Sequence, residues 1–445
     1  MKTNEKGLLK QLMYPMVAAM AGSILLLICI IGVLFFVLYG RQVLYQNQVL
    51  SIIASENVGL FMHGADALIN TLANHPDIVS MDGRRQTMLI NDCKNNYRYI
   101  ESIYIQGLSG MQTAHTSGKL SNRSDRWWFQ QILQTKTPFI SHMYFSVASS
   151  MPCVSLFCPI FSGGALVGVL GMDIKINHLQ NMVREISDAD TGRIFLIIDN
   201  EGNVVAHPND KYASSIYNFK TMTKRTPNQT GVKTEAYIDI PDINESIELS
   251  TSFYDMIIKA TGGSEGTTEV KDADFGDSTA DCYASYSPVW MSNTSDPWAV
   301  ISLYRYNAAM KVIIIIVGVC ILVSALLLIG YAVVIYFISK KFFNGVQLVC
   351  NALDEAATGN YSLCLDETDD TGMQELAKSC NKVIANIAGL IHDVNRCSRE
   401  INKNTLFLHQ AIKDKNMIGI TKSAANISEL EEELAKAISG FRSSE

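Results

Sequence analysis

The chain has 445 residues, and its 36 Lys and Arg residues are outnumbered by 43 Asp and Glu residues, which gives a formal net charge of -7. This balance offers no basic footprint and argues against nucleic acid as a partner. The 10 cysteines include no CxxC pair and do not have the spacing of metal ligands, so we expect neither a metal nor a cofactor.

Two long runs without a charged residue dominate the sequence. The first covers residues 12–40, and the second, residues 312–339, contains VIIIIVGVCILVSALLLIGYAVVIYFI. Each exceeds the roughly 20 residues that a helix needs to cross a membrane. The first run is also longer than the apolar core of a cleaved signal peptide, about 7 to 15 residues. We therefore predict two transmembrane helices, the first of them an uncleaved anchor.

Positive charges beside the two runs indicate the orientation of the chain. The flanking lysines are Lys2, Lys6 and Lys10 before the first run and Lys340 and Lys341 after the second. Because positive residues stay in the cytoplasm, we place residues 1–11 and 340–445 there. Residues 41–311, about 270 in number, are then extracytoplasmic, which is enough chain for two subdomains. The expected location is the cytoplasmic membrane, with two passes.

The extracytoplasmic segment begins with a predicted helix and continues with repeated strand patterns. Residues 42–73 lack Pro and have apolar residues at helical spacing. Two strand-turn-strand units of similar design follow in YIESIYIQGLSGMQTAHT and GRIFLIIDNEGNVVAHP, and a hairpin that turns at residues 162–164 lies between them. This repetition predicts an α+β fold with two copies of one module, at about 75–185 and 190–300. The polar residues 228–279 are expected to form loops and edge strands of the second copy.

Apolar residues follow heptad steps after the second membrane run. A short series, Val346, Val349, Leu353 and Ala356, precedes a longer one that extends from Met373 through Leu376, Cys380, Val383 and Cys397 to Ile401. We expect these residues to form the apolar contact line of a helical bundle. Residues 395–413 and 421–441 are predicted to fold back on each other as a short hairpin with Gly419 at the turn.

Several of these motifs resemble known signalling domains. Residues of about 45–300, with RWWF, PIFSGGALVGVLGMDI and TGRIFLIIDNEGNVVAHP, resemble a double Cache sensor, the exported domain of bacterial chemoreceptors and many sensor kinases. Residues 340–394 look like a HAMP relay domain, in which Leu363 and Leu365 would cap the bundle and Asn381 belongs to the second helix. The end, KSAANISELEEELAKAISGFRSSE, is similar to the closing helix of methyl-accepting chemotaxis receptors, but their hairpin tip is missing.

The segment DRWWFQ provides the candidate binding site. If Asp125 caps a helix through RWWFQQIL, Arg126 lies in its first turn, where backbone N–H groups and the guanidinium suit a carboxylate. The resemblance implies that Arg126 and Trp128 hold the carboxylate of an amino acid. It also implies that Tyr144 and Asp173 hold the amine, and that Phe129 stands beside the ligand where the family has Tyr. The residues alone leave open that Arg126 pairs with Asp125 or Glu101, whereas for Trp127 we expect core packing.

The resemblance implies a transmembrane receptor that senses an extracellular amino acid or related organic acid and relays the signal through its HAMP-like region, as in chemotaxis. The implied partners are a second copy of the chain, other chemoreceptors, a coupling protein and a histidine kinase. Two alternatives stay open: a non-signalling partner that modulates other receptors, and an exported enzyme anchored by two helices. The sequence shows no nucleophile-base pairing that would support an enzyme. The pairing of Cys93 with Cys282 is also open.

Overall fold

A computed structural model of the protein describes residues 5–117, 119–146, 149, 151–188, 191–226, 243–292, 295–362, 364–365 and 371–442. Lys2, Leu363 and the first part of the predicted loop region 228–279 lie outside these residues. The chain forms two compact units, residues 30–319 and residues 1–29 with 320–445, and each is described by itself.

Two long helices contain the apolar runs predicted to cross a membrane. Helix α1 is Glu5–Ala73, and its residues 42–73 confirm the predicted helix as a direct continuation of the first run. The second run lies in a helix of 52 residues, Tyr306–Ala357. Both helices are long and apolar enough to span a membrane. Large apolar side chains such as Leu25 and Leu327 are more than half exposed within these runs, as expected for surfaces that face lipid.

The first module follows α1 and consists of one antiparallel sheet with helices around it. Its elements are α2 (Pro76–Val79), α3 (Gly83–Asn96), β1 (Ile100–Gly107), β2 (Gln112–His115), α4 (Trp127–Thr135), β3 (Phe139–Ile140), β4 (Tyr144–Phe145), β5 (Pro152–Ser162), β6 (Ala165–Lys175) and α5 (Ile176–Ile186). The strand order is β2-β1-β6-β5-β3, and β4 also pairs with β5. The predicted hairpin is confirmed, since β5 ends at Ser162 and β6 begins at Ala165.

Alternation along the strands gives this sheet two different faces. Ile103 and Ile105 of β1 belong to a core that also contains Met62 and Ile69 of α1. Tyr104 belongs instead to a separate aromatic cluster with residues of α4. The long helix therefore covers one face of the sheet, and α4 covers part of the other face.

The second module repeats the sheet with a different set of neighbours. Its elements are β7 (Arg193–Ile198), β8 (Val204–Ala206), α6 (Lys211–Ser214), β9 (Tyr217–Asn218), β10 (Thr223–Thr226), β11 (Ile243–Ser246), α7 (Thr251–Thr261), β12 (Gly266–Asp274), β13 (Thr279–Val289) and β14 (Trp298–Arg305). The main sheet has the order β12-β13-β14-β7-β8. Helix α7 corrects the expectation of loops and edge strands in this region, because Phe253, Met256 and Ile257 are buried in the module's core.

The other unit contains the helices predicted to form a bundle. Helix α8 is the helix Tyr306–Ala357 named above, and it is followed by α9 (Thr371–Lys413) and α10 (Met417–Arg442). Val349, Ala352 and Ala356 of α8 pack with Cys380 and Ile384 of α9. Leu365 also packs there, and its backbone N–H and carbonyl both bond the side chain of Asn381, at 2.9 Å each.

Two details of the bundle differ from the prediction. The hairpin turns at Lys415, which has a left-handed φ of 55°, whereas Gly419 lies in the first turn of α10 and donates its N–H to Asn416 Oδ1. The predicted turn at Gly419 is therefore wrong, because the side chain of Asn416 caps α10 and the helix begins before Gly419. The contact line is also shifted, since Ile384 is buried while Leu376 and Val383 are more than 40% exposed.

Candidate functional site

A small cleft opens where the N-terminus of α4 approaches the first module's sheet. Its lining contains four of the five predicted site residues, and the full set is Tyr104, Gln112, His115, Arg123, Arg126, Trp128, Tyr144, Ser146 and Asp173. The cavity volume is about 40 Å³, which is room for about three water molecules. Phe129 is the predicted residue that the structure does not bring to this lining.

The start of α4 differs from the predicted start by one residue. Arg126 has extended φ and ψ angles of -75° and 135° and is the N-cap, so the helix begins at Trp127. The carbonyl of Arg126 accepts the N–H of Gln130 at 3.1 Å. The predicted N-cap at Asp125 is therefore wrong. The side chain of Arg126 still projects from the end of α4 where the helix dipole is positive, which favours a nearby anion.

The three aromatic residues of the motif point in different directions because successive helical residues are rotated by about 100°. Trp128 is only 5% exposed and stacks on Phe157 with ring centroids 4.6 Å apart. Phe129 is fully buried. Trp127 is 38% exposed and stacks on His142 at 4.6 Å. The predicted core packing of Trp127 is therefore wrong, and the buried residues of α4 are Trp128, Phe129 and Ile132.

A buried carboxylate forms the opposite side of the cleft. Asp173 of β6 lies beside Ser102 of β1 and Ser155 of β5 in the strand registers, and we call these three residues the polar row. Ser102 Oγ donates to Asp173 Oδ2 at 2.7 Å, and Ser155 Oγ donates to Oδ1 at 2.6 Å. Tyr104 donates to Oδ1 as well, at 3.0 Å.

Tyr144 reaches the same carboxylate indirectly. Its hydroxyl lies 2.8 Å from Ser155 Oγ, whose single proton is used for Asp173. Tyr144 is therefore the donor in this contact, and it leaves the lone pairs of its own oxygen available towards the cleft. A hydrogen-bonded chain thus joins Tyr144, Ser155 and Asp173.

Burial controls the ionisation of these groups. Loss of water raises the pKa of the Asp173 carboxyl, although the three hydroxyl donors act in the opposite direction. Burial also holds the pKa of Tyr104 well above its usual range, and the neighbouring Asp173 raises it further. Tyr104 is consequently a protonated donor at physiological pH, and a nearby cation would favour the ionised form of Asp173.

The remaining wall of the cleft is basic or neutral. His115 stacks on Tyr104 with centroids 5.5 Å apart, and burial, followed by the charges of Arg123 and Lys94, lowers its pKa to about 4. Its Nδ1 accepts the N–H of Ser117 at 2.9 Å, so the proton of the neutral ring is assigned to Nε2. The cleft therefore places two guanidinium groups and a neutral imidazole in the same lining as one buried carboxylate.

Sequence reasoning missed Tyr104, His115 and the two serines of the polar row. The signal was present in the segment IESIYIQ, where Ser102, Tyr104 and Gln106 alternate with isoleucines and so share one face of a strand. Gly171, in the motif LGMDI, belongs to the same arrangement. A Cβ at Gly171 would lie 2.2 Å from Tyr104 Cε2, so the glycine makes room for the tyrosine ring above the sheet.

A larger cavity lies in the second module. This groove has a volume of about 930 Å³ and is lined in part by Ile194, Asp277 and Arg305. The guanidinium of Arg305 is already paired with Asp277 at 2.7 Å, so the groove's cation is compensated within the protein. Over the described residues, no group of three or more His, Cys, Asp or Glu side chains could hold a metal ion. The smaller cleft is the better candidate site, because it brings together four of the five predicted site residues.

Comparison with known proteins gives one family and several similar folds. The family model of the Cache domain matches residues 40–312, and no curated protein sequence matches the chain. The ligand-binding domain of the Pseudomonas fluorescens chemoreceptor CtaA, in complex with L-isoleucine, is 15% identical with a TM-score of 0.43, over 61% of this chain and 96% of that one. The domain of the Pseudomonas aeruginosa PAO1 chemoreceptor PctC, in complex with GABA, is 15% identical with a TM-score of 0.40, over 57% and 96%. That of PctB from the same organism, in complex with L-Gln, is 15% identical with a TM-score of 0.41, over 59% and 91%.

Proposed function

Because this chain belongs to the Cache domain family, whose model matches residues 40–312, we propose that it is a membrane-anchored sensor of small carboxylates. The proposed ligand is a free amino acid or a closely related organic acid. It binds in the first module's cleft, and the protein acts as a receptor and not as an enzyme. The observation that carries this proposal is the meeting of Arg126, Trp128, Tyr144 and Asp173 in one lining.

The two walls of the cleft suit the two ends of an amino acid. Arg126 projects from the positive end of α4 and offers a planar set of donors to a carboxylate. Trp128 supplies a fixed apolar wall beside it, because its ring is held against Phe157. On the other side, Asp173 and the hydroxyl of Tyr144 provide acceptors for an ammonium group.

Ligand binding in this cleft requires a change of shape. A cavity of about 40 Å³ is smaller than the ligand pockets of about 300 Å³ or more that are usual in proteins. We propose that α4 and the segment of residues 139–146 move away from the sheet when the ligand enters. A ligand that binds only the open form would shift the population towards it.

The segment 139–146 is well placed to pass such a movement to the second module. Asp199 Oδ2 accepts the backbone N–H of Met143 at 2.8 Å, and Arg225 donates to the carbonyl of Met143 at 3.3 Å. Ser295 Oγ accepts the N–H of Ile140 at 2.8 Å. Strand β14 of that module runs directly into α8, the second apolar helix, which provides a covalent route towards the membrane.

Residues 340–394 are proposed to act as a HAMP-like relay in a homodimer. The tie between Leu365 and Asn381 fixes the connector against α9. Leu376 and Val383 are 42% and 49% exposed in the single chain, and heptad spacing favours covering such residues with a second copy. We propose that two copies signal through these helices to a coupling protein and histidine kinase, from the cytoplasmic face of the cell membrane.

Full-length protein in detergent, titrated calorimetrically with amino acids and small organic acids, tests the proposed site. Arg126→Ala should weaken the binding of the ligand about 10- to 100-fold, since a charge-assisted contact contributes roughly 1.5–3 kcal/mol. Arg85→Ala is the matched control, because Arg85 is a 65% exposed arginine on α3 and should leave affinity unchanged. A ligand bound equally well by wild type and Arg126→Ala would refute the assignment.

A second candidate function is that of a partner that modulates other receptors. The end of the α9–α10 hairpin exposes Leu406, Phe407, Met417 and Ile418, all at least 60% exposed, and such patches often mark protein contacts. Co-purification separates the two candidates. A signalling receptor should bring down a chemotaxis kinase directly, whereas a modulating partner should bring it down only when another receptor is present.

A further inference from the structure

Gln106 has the least satisfied side chain of the first module. It is fully buried, and neither its Oε1 nor its Nε2 has a hydrogen-bond partner within the described residues. Gln48 and His207 also keep one unpartnered buried atom, but the other end of each makes a hydrogen bond. A buried carboxamide with both ends unpaired is unfavourable and needs an explanation.

The position of Gln106 connects it to the cleft. It lies on the same face of β1 as Ser102 and Tyr104, because side chains alternate along a strand. Its partner in the register of β2 is Gln112. Gln112 and Tyr104 both line the cleft, so Gln106 lies next to two residues of the lining.

The separation of Asp173 and Gln106 along the sheet requires a ligand with an extended side chain. Ser102, the neighbour of Asp173, is four residues from Gln106, which corresponds to about 13 Å along the strand. Tyr104 lies between Ser102 and Gln106 on the same face, so a ligand held by Asp173 needs an extended side chain to pass this ring and reach the amide of Gln106.

The chemistry of the unpaired amide narrows the choice further. Gln106 offers an acceptor and a donor together, and a carboxamide on the ligand can pair with both in a two-bond arrangement. A carboxylate can accept from Nε2 but leaves Oε1 without a partner. An apolar side chain leaves both atoms unpaired, which a site built to hydrogen-bond its ligand penalises strongly.

We propose that Gln106 is a specificity-determining residue of the cleft, and that the ligand is an amino acid with a carboxamide side chain. This inference rests on the proposed function, since it takes the cleft around Arg126 and Asp173 as the amino-acid site. Opening of the cleft lets the ligand's amide reach Gln106, which gives the buried carboxamide its missing partners.

Full-length protein in detergent, titrated with L-glutamine, L-asparagine, L-glutamate and L-methionine, tests the inference on the wild type. Methionine matches glutamine in length but lacks its hydrogen-bonding group. We expect a carboxamide amino acid to bind at least about 100-fold more tightly than methionine and at least about tenfold more tightly than glutamate. Equal binding of methionine would overturn the inference.

Gln106→Met provides the matched variant, because it keeps the length of the side chain and removes the amide. The ratio of carboxamide to methionine affinity should fall at least tenfold. The ligand-free variant should also melt about 2–4 °C higher, because the unpaired buried amide is gone. A residue that served only the fold would change melting without changing this ratio, and an unchanged ratio would overturn the inference.

The two proposals fail in different ways. If the wild type binds amino acids in an Arg126-dependent manner but without preference for a carboxamide, the proposed function stands and the role of Gln106 is refuted. If the wild type binds none of the amino acids, both proposals are refuted. Should Gln106→Met not fold, the wild-type panel still decides between these outcomes.

Discussion

Both modules bury a line of polar side chains across their sheets, but the two lines have different surroundings. In the second module, Ser285 and Ser302 face α1 and meet Asn47. Ser302 Oγ donates to Asn47 Oδ1 at 2.7 Å, and Ser285 Oγ donates to the Asn47 carbonyl at 2.8 Å. The amide of Asn47 donates to the carbonyls of Tyr283 and Ser302. The helix and the sheet therefore satisfy each other.

The polar row of the first module lies on the face away from α1. Ser102, Asp173 and Ser155 are as deeply buried as Asn47 and its partners, yet they border a cleft that also contains Arg126 and His115. Three hydroxyls bond the carboxyl of Asp173, and these contacts supply no positive charge to balance its ionised form. Burial of polar groups thus does not identify a binding site by itself. A site is indicated where the local hydrogen bonds leave a charge or an amide uncompensated.

The largest effect expected from this comparison is on stability, in the second module. Asn47→Ala removes three side-chain hydrogen bonds, one accepted from Ser302 and two donated to the carbonyls of Tyr283 and Ser302, whereas the bond from Ser285 to the backbone carbonyl remains. Denaturant unfolding of the full chain should show a loss of about 3 kcal/mol. Ligand affinity should not change, and a selective loss of affinity would contradict the structural role of Asn47.

A smaller effect is expected at Gly171, where the first module's cleft depends on close packing. Gly171→Ala places a Cβ 2.2 Å from the ring of Tyr104 and should displace the hydroxyl that donates to Asp173. We expect a stability loss of about 1–3 kcal/mol from overpacking and a reduction in ligand affinity. Gly163→Ala is the control. Because Gly163 has a left-handed φ of 57°, this substitution also lowers stability, but it should leave ligand affinity intact. If Gly171→Ala left ligand affinity unchanged, Tyr104 would have no part in ligand binding.

The smallest expected effect is a pH dependence of ligand binding. Burial raises the pKa of Asp173 above its ordinary value of 3.8, so folding favours its protonated form. The stability from this group is complete below the unfolded pKa and is lost as pH rises through the folded pKa. An ammonium ligand favours the ionised form, so affinity should rise with pH over the same range.

Calorimetric titrations from about pH 4 to pH 7 would measure this dependence. Asp173→Asn, which cannot ionise, is the control and should remove the part of the dependence that belongs to this carboxyl. The same dependence in wild type and variant would show that another group is responsible.

Local patterns were sufficient to predict much of the fold. Apolar spacing gave the long helix through residues 42–73, and the pair Gly163 and Gly164 gave the turn between β5 and β6. The α+β class is confirmed. Helix α7 was not predicted because the sequence around it is polar. The burial of Phe253 and Met256 becomes clear only from the module's core. The turn lies at Lys415 because Asn416 caps α10. The position of Gly419 in the sequence does not reveal this cap.

Four residues of the candidate cleft were named from the sequence, but their hydrogen bonding was not predicted. Arg126, Trp128, Tyr144 and Asp173 come together in the cleft, as the family resemblance implied, whereas Phe129 does not reach it. The polar row could not be predicted, because β6 lies between β5 and β1 and this neighbourhood is not sequential. Trp128 is buried in place of Trp127 because of where α4 starts. A shift of one residue in the helix start rotates each side chain by about 100° around the helix axis.

The central claim is that Arg126 and Asp173 hold opposite ends of one amino-acid ligand. The most direct measurement compares the binding of that amino acid with the binding of its analogue without the α-amine, in wild type and in Asp173→Asn. We expect wild type to prefer the amino acid about 100-fold, consistent with a buried charge contact of roughly 3 kcal/mol. Asp173→Asn should bind both compounds with similar affinity. A variant that keeps the full preference for the amino acid would show that Asp173 does not hold the amine.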